Sequence, residues 1–297
     1  MNFDFSAAPV KQNHVEELAR AKVNLALHVT GIRENGYHTL DSLVVFPKTG
    51  DLVRVEAADQ TSLDIIGPFA DQLDSNPANN LVFRAAQLLA ELVPTTRGAM
   101  IGLYKRLPVA AGVGGGSADA AATLRALSKV WGISPSTPEL ESLALQLGAD
   151  VPMCIAEQPM RIKGIGEILE PIPPMPAAAV VLVNPGFSLS TPEVFLALKE
   201  KKNSGLPPLP HSFGSAFALA EWLKSCRNDL QEPAIHLVPQ IKEILELLEV
   251  QHETLLARMT GSGATCFALC NSLDDAEALE SRLRSNRRDW WIVSAPL

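Results

Sequence analysis

An α+β fold is expected for this chain, on three observations. Strand-like and helix-like segments mix without a regular βαβ rhythm, which argues against a doubly wound sheet. The first strand candidates are joined by short connections, which suit antiparallel pairing. Hydrophobic residues make up 47% of the 297 residues and charged residues 20%, so a real core can form. With 5% aromatic residues, that core is mostly aliphatic. The length suits one large domain or two of ordinary size.

Residues 1–17 are polar and read as a poorly ordered lead-in. In Lys22-Val23-Asn24-Leu25-Ala26-Leu27-His28-Val29 the residues Val23, Leu25, Leu27 and Val29 share one face, the period of two of a strand. Asn35-Gly36 signals a hairpin turn, with 40–46 returning as the partner strand. Residues 52–57 and 63–66 read as further strands. Over 80–93, Leu81, Ala85, Leu88, Leu89 and Leu92 recur at helical spacing. A strand at 99–104 leads into a glycine-rich loop and an alanine-rich helix from 117 to about 130. Thr137 as N-cap, with Pro138 at the first helical position, opens a helix to 147. Ile172-Pro173-Pro174-Met175-Pro176 is a connector, and 180–183 is a buried strand candidate. Beyond it, helices are expected at 192–199, 215–224, 240–249 and 273–284, and strands at 255–259, 265–269 and 290–293.

The formal net charge is −8 with no long basic block, so nucleic acid is not an expected partner. Arg282, Arg284, Arg287 and Arg288 form the one basic cluster and read as a solvated helix face and loop. The N-terminus lacks the basic start and apolar core of a signal peptide, and the longest apolar stretch, 177–183, is far too short for a bilayer. Cys154, Cys226, Cys266 and Cys270 show no CxxC pairing, and no histidine cluster has metal-ligand spacing. Reduced thiols, a cytoplasmic location and no membrane partner are expected. The chain is compatible with a monomer or a homodimer.

The stretch Leu107-Pro108-Val109-Ala110-Ala111-Gly112-Val113-Gly114-Gly115-Gly116-Ser117-Ala118-Asp119 carries the most chemical information. Four glycines in five residues are costly in an ordinary element, because glycine loses the most entropy on ordering. They make sense where backbone must approach a ligand closely or visit positive φ. The helix that follows offers unpaired N–H groups and a positive dipole end, an anion site suited to a di- or triphosphate. Ser117 can cap that helix or touch a phosphate or Mg²⁺. A flexible surface loop would be polar, whereas this one is apolar and small. It is not a Walker A loop, lacking Gly-Lys-Ser/Thr, nor a dinucleotide fingerprint, lacking the third glycine of GxGxxG.

A second glycine pair lies in Met259-Thr260-Gly261-Ser262-Gly263-Ala264-Thr265. It reads as a hairpin turn that could also press backbone against the first loop or its ligand. Lys22 opens an apolar strand, where it is either an exposed edge residue or functional. Asp150, in Gly148-Ala149-Asp150-Val151-Pro152, stands at the mouth of a helix-to-strand turn, as turn former or functional group.

Ala21-Lys22-Val23-Asn24-Leu25 with Gly36-Tyr37-His38, the glycine loop, Gly148-Ala149-Asp150-Val151-Pro152 and Gly261-Ser262-Gly263-Ala264 occur in this order. The set resembles the GHMP kinase superfamily over roughly residues 19–295. The resemblance implies a two-lobed α+β fold, an N-terminal ATP-binding lobe of residues 1–157 and a smaller C-terminal, substrate-side lobe of 158–297. Lys-x-Asn-Leu and Gly-Tyr-His point to the branch that phosphorylates the 2-hydroxyl of cytidine diphosphate methylerythritol, on the non-mevalonate route to isoprenoids. Homoserine or mevalonate kinase, or a non-catalytic nucleotide-binding sensor, are the alternatives.

By the same resemblance, residues 108–118 hold ATP with Mg²⁺. Asp150 takes the substrate proton, and Lys22 orients that aspartate and neutralises developing charge. His38 reads the cytosine edge, Tyr37 and Phe195 sandwich the base, Thr191 lies nearby, and Asn24 bonds the substrate near the transferred group. Relatives usually carry glycine at Ala110, often serine at Ala118, and commonly Gly-Gly where this chain has Glu157-Gln158.

Overall fold

The computed structural model describes residues 14–74, 76–92 and 98–297. In chain order the strands are β1 (His14–Arg20), β2 (Val23–Ile32), β3 (His38–Val45), β4 (Gly50–Ala58), β5 (Ser62–Ile66), β6 (Gly98–Tyr104), β7 (Met160–Gly164), β8 (Ile168–Pro171), β9 (Ala179–Asn184), β10 (Thr254–Met259), β11 (Cys266–Cys270) and β12 (Trp291–Pro296). The helices are α1 (Leu81–Leu92), α2 (Gly115–Trp131), α3 (Thr137–Leu147), α4 (Val151–Ala156), α5 (Thr191–Ala197), α6 (Ala216–Lys224), α7 (Gln231–Leu237), α8 (Gln240–Glu249) and α9 (Leu273–Asn286). The expected α+β class is the observed one.

The chain forms two compact units, each assembled from separated segments. The first combines residues up to Ala21 with Gly50–Val109 and Gly115–Ala156. The second takes Lys22–Thr49, Ala110–Gly114 and Glu157–Leu297. The last passage from first to second falls between Ala156 and Glu157, but two earlier segments already belong to the second unit.

The first unit holds a four-stranded sheet in the order β1-β4-β6-β5. Residues 14–17 correct the expected lead-in, since β1 pairs antiparallel with β4 from His14↔Glu56 to Arg20↔Gly50. Its charges are matched: Glu17 takes Arg125 at 3.0 Å and Lys129 at 2.5 Å, both from α2. Residues 1–13 of the lead-in lie outside the described residues, as does Val93 of the expected helix over 80–93. A second departure concerns β5, which pairs parallel with β6 rather than antiparallel with β4. The β4–β5 connection carries the chain past β6 to that strand's far edge.

Lys105 is the ionic centre of this unit. Its ammonium lies 2.5 Å from Asp51 and 2.7 Å from Asp119, all three groups being buried. The other Asp51 oxygen accepts the N–H groups of Arg106 at 2.5 Å and Leu107 at 2.7 Å. Burial alone would push Lys105 down, but Asp119 and Asp51 overcome it and raise the group to about 12. Asp119 moves well up, chiefly through burial and against the pull of Lys105. The cluster therefore holds one firm cation and one carboxyl that resists ionisation.

The second unit holds two four-stranded sheets, β2-β3-β7-β8 and β10-β11-β9-β12. Ala179, Val181 and Val183 of β9 enter its core with Ile244 and Leu248 of α8, Leu279 and Leu283 of α9, and Leu27 and Val29 of β2. Each of the valines, leucines and the isoleucine contributes about 1.5–3 kcal/mol by leaving water. The expected alternation of β2 is real, yet its second face is buried too, with Asn24 and His28 enclosed. The edge of β2 away from β3 is also closed. Arg258 donates to the Leu25 carbonyl at 2.7 Å, Leu27 exchanges bonds with Arg227 and Asp229, and Val29 N–H reaches Asp229 at 2.7 Å.

Sequence periodicity did not resolve β7, β8, α4 or α7, all short. Asp150 accordingly sits between helices α3 and α4, not in a helix-to-strand turn. The cap of α3 is Ser136, one residue before Thr137, and Glu139 accepts its N–H at 2.9 Å. In the basic cluster Arg282 pairs with Glu253, Arg284 with Glu280, and Arg287 covers the Trp290 ring at 4.8 Å. No helix among the described residues is long and apolar enough to cross a membrane.

Replacing Lys105 by alanine would leave two buried carboxylates without their cation. Lys105→Ala is expected to cost ~3–5 kcal/mol, read as a fall in the denaturation midpoint at unchanged m-value.

Candidate functional site

Ala110–Gly114, the turning part of the glycine loop, belongs to the second unit and packs there backbone to backbone. Gly112 has φ +76, and a Cβ built on it would fall 2.7 Å from Gly263 O and 2.8 Å from Thr260 O. Reciprocally, a Cβ on Gly261 would fall 2.5 Å from Gly112 O. Thr265 N–H reaches Ala111 O at 3.3 Å. The second glycine pair is thus the turn of the β10–β11 hairpin and also the surface on which the first loop is moulded. Asn228 holds that turn from behind, donating to Met259 O at 2.8 Å and Gly261 O at 2.9 Å.

Lys22 belongs to the same assembly. Its backbone N–H donates to Val113 O at 2.8 Å. Its buried stem passes Gly114 so closely that a Cβ there would lie 3.1 Å from the lysine Cβ. Gly114 stands at φ +66, so both conformation and space require glycine. From Gly115 the chain belongs to the first unit and starts α2 at once. That start is two residues earlier than expected, so Ser117 lies inside the first turn rather than at the cap. Unpaired N–H groups at this helix start suit an anion. Asp150, in the first unit, is half-buried, and its carbonyl accepts Cys154 N–H at 3.3 Å.

Asn24 is 1% exposed and its orientation follows from its neighbours. Ser42 Oγ donates its one proton to Ala26 O at 2.6 Å, so it must accept from Asn24 Nδ2, 2.7 Å away. This turns Asn24 Oδ1 the other way, where it is buried without a partner. The group Asn24 can offer a ligand is therefore an acceptor.

His38 and Phe195 stack with ring centroids 4.7 Å apart at 27°. His38 Nε2 is buried without a partner. Burial, then the charge of Lys201, lowers the His38 pKa below 6.5, keeping the imidazole neutral near pH 7. Tyr37 is 61% exposed and joins no ring pair among the described residues. The ring that Phe195 meets is His38. Thr191 Oγ1 lies 2.7 Å from Ser262 Oγ, tying the start of α5 to the second glycine turn.

Sequence reasoning missed the polar supports of this region. His28 is fully buried; Nδ1 faces Ser204 O at 3.0 Å, and Nε2 accepts Arg227 N–H at 3.0 Å. One tautomer satisfies both bonds, the neutral ring with its proton on Nδ1. Asp41 binds Arg161 through both oxygens, at 2.7 and 2.6 Å. Their only sequence signal was a polar residue inside a strand. On the first unit, an open depression of about 400 Å³ is lined by Leu63, Ile65, Asp71, Leu73, Asp74 and Pro77 among others, none of them an expected site residue.

The model of the GHMP kinases N terminal domain matches residues 80–158, and that of the GHMP kinases C terminal matches 211–289. The chain belongs to the GHMP kinases. A 4-diphosphocytidyl-2-C-methyl-D-erythritol kinase of Paramagnetospirillum magneticum is 49% identical over 279 residues, 94% of this chain and 97% of the relative. A solved 4-(cytidine 5'-diphospho)-2C-methyl-D-erythritol kinase is similar at 32% identity and TM-score 0.76, covering 95% of this chain and 98% of its own. Within the class, then, the chain is a member of the 4-diphosphocytidyl-2-C-methyl-D-erythritol kinase family. A homoserine kinase from Cytophaga hutchinsonii, at 17% identity and TM-score 0.67, covering 100% of this chain and 96% of its own, shares the fold.

Two outcomes follow from the geometry. Ala110 has φ +52, a left-handed conformation where a Cβ costs ~1–2 kcal/mol. Ala110→Gly relieves that strain but frees the unfolded chain, so a net gain of ~0.5–1 kcal/mol is expected by denaturant titration. His28 gives a pH dependence. Burial lowers its folded pKa below 6.5, so the unfolded chain takes up this proton first as pH falls. The stability contributed by neutral His28 is complete above pH 6.5 and is lost as pH falls toward the folded value. Unfolding free energy should therefore decline more steeply below pH 6.5 in the wild type than in His28→Gln; equal slopes would refute this role.

Proposed function

We propose that this enzyme transfers the γ-phosphoryl group of ATP to the 2-hydroxyl of 4-diphosphocytidyl-2-C-methyl-D-erythritol, on the non-mevalonate route to isoprenoid precursors. The observation that carries the reading is the bond from Lys22 N–H to Val113 O at 2.8 Å, with the lysine stem along Gly114. It fixes the backbone of a lysine to the glycine loop and lays that residue's side chain along the loop where α2 begins. The family membership supplies the substrate.

ATP is held by residues 108–118, with backbone N–H groups and the start of α2 facing its phosphates. Positive φ at Gly112 and Gly114 turns the loop against Gly263, Thr260 and the Lys22 stem, and that packing fixes the path of its backbone. Ser117, in the first turn of α2, is the hydroxyl that would be available to a Mg²⁺ accompanying the nucleotide, and that ion would neutralise phosphate charge. The 2-hydroxyl gives its proton to Asp150 as its oxygen bonds to the γ-phosphorus, and the bond from that phosphorus to the β-bridging oxygen breaks to release ADP. Lys22 offsets charge as it develops. A loose transition state makes positioning and fixed charge the main contributors, with the base worth ~10²–10⁴-fold. On the substrate side, Asn24 Oδ1 accepts from the substrate near the transferred group. The cytosine stacks between Tyr37 and Phe195, with His38 bonding its edge and Thr191 nearby. The enzyme works in the cytoplasm.

The test is ADP release from Mg-ATP and this substrate beside an Asp150→Asn control. Turnover falling ~10²–10⁴-fold in the variant is expected, with free cytidine diphosphate competing against the substrate. Turnover on homoserine or mevalonate instead, without such competition, would overturn the choice of substrate.

A further inference from the structure

Three residues after α5 are pinned to the strands carrying the substrate-side groups. Asn203 N–H donates to Val29 O of β2 at 3.0 Å. Ser204 O lies 3.0 Å from His28 Nδ1 and 2.9 Å from Arg227 Nη2. Leu206 N–H donates to Asp41 Oδ2 of β3 at 2.8 Å. The Asp41 carboxylate is buried and held by both arms of Arg161, which also reaches Leu206 O at 3.3 Å. Arg161 stands opposite Leu43 in the β3–β7 ladder, on the face of Asp41 two residues along. Between them the pair leaves no space at Gly205, where a Cβ would lie 2.5 Å from Asp41 Oδ2.

The segment so fastened runs back through Lys202, Lys201 and Lys199 to α5 and Phe195. Lys201 is half-buried and forms no ion pair among the described residues, although its charge is felt by His38. A half-buried cation without its own carboxylate, beside an aromatic stack, suits an anion attached to the stacked ligand. We propose that Asp41 and Arg161 are positioning residues which, through Gly205 and Leu206, hold Lys201 where it meets the diphosphate of a cytidine diphosphate bound at His38 and Phe195. This rests on the pyrimidine reading given above and adds the group that reads the diphosphate. Lys201 touches the ligand; Asp41 acts through Lys201.

Titration of the full chain with cytidine diphosphate and with cytidine, by calorimetry, tests it. Lys201→Gln is expected to weaken cytidine diphosphate ~10-fold while leaving cytidine within ~2-fold, and Asp41→Asn to do the same. The double variant should be no weaker than either single, because both remove one interaction. Equal loss for both ligands, no loss, or additive losses would overturn the proposal. Gly205→Ala disturbs the same contact from the other side and serves if Asp41→Asn fails to fold; failure of both would make the clamp structural only and also overturn it. A wild type that binds neither ligand would instead defeat the pyrimidine reading itself.

Discussion

Where Gly112 meets the turn between β10 and β11, two backbones approach more closely than any side chain permits. A Cβ on either partner would enter the other's carbonyl oxygen, at 2.7 Å from one side and 2.5 Å from the other. Much else in the second unit depends on this contact. It sets the path of Ala110–Gly114, and that path puts the Val113 carbonyl where Lys22 N–H can bond it. A loop that recognises phosphate through backbone N–H groups works only if their directions are fixed before the ligand arrives. The neighbouring turn supplies that rigidity, and Asn228 and Thr265 brace it in place.

β2 leads from this loop to Asn24. It starts at Val23, directly after Lys22, carries Asn24 on its buried polar face, and offers no open edge to solvent because Arg258, Arg227 and Asp229 occupy its outer carbonyls and N–H groups. Such a strand is costly to build, since every polar group must find a partner. Among the described residues five buried side-chain atoms lack a partner, on Asn24, His38, Asp64, Asp119 and Thr254, and the first two belong to residues the family resemblance assigns to the substrate. A ligand that pairs them recovers the desolvation cost of leaving them bare, ~1–3 kcal/mol each. At Asn24 and His38 the groups that cost the unliganded protein stability are the ones the resemblance expects to bind the substrate.

The fold class and most of the longer elements were legible because their periodicity is strong. The alternation of β2, the apolar run of β9 and the helical spacing of α1, α8 and α9 identify them without help. Four short ones were not: β8, β7, α4 and α7, of four to seven residues, went unread, although β5, β9, β10 and β11 of similar length were expected. β1 was hidden by its charges, which Arg125 and Lys129 match only after folding. The same limit governs the site. Its glycine loops and lysine stand out as residue types in improbable places, whereas Asp41, Arg161 and His28 look ordinary until segments far apart in sequence come together. Nor could the linear chain show that Lys22–Thr49 joins the second unit, since that depends on tertiary contacts alone.

Two of the positions at which the family resemblance leads one to expect glycine share a physical feature. Ala110 at φ +52 and Glu157 at φ +45 are the non-glycine residues with positive φ among the described residues. The backbone holds the conformation glycine would adopt although the side chain is not glycine. That is possible because the surroundings over-determine both positions. Ala110 O accepts Leu189 N–H at 3.3 Å and the next carbonyl accepts Thr265 N–H, while Glu157 follows the end of α4 at the passage between units. Local strain of ~1–3 kcal/mol survives only where such neighbours leave no alternative path. The loop's shape is therefore imposed more by what surrounds it than by the flexibility of its own residues. This accounts for a substitution at Ala110 being tolerated when one at Gly112, where the obstacle is backbone on the other side, would not be.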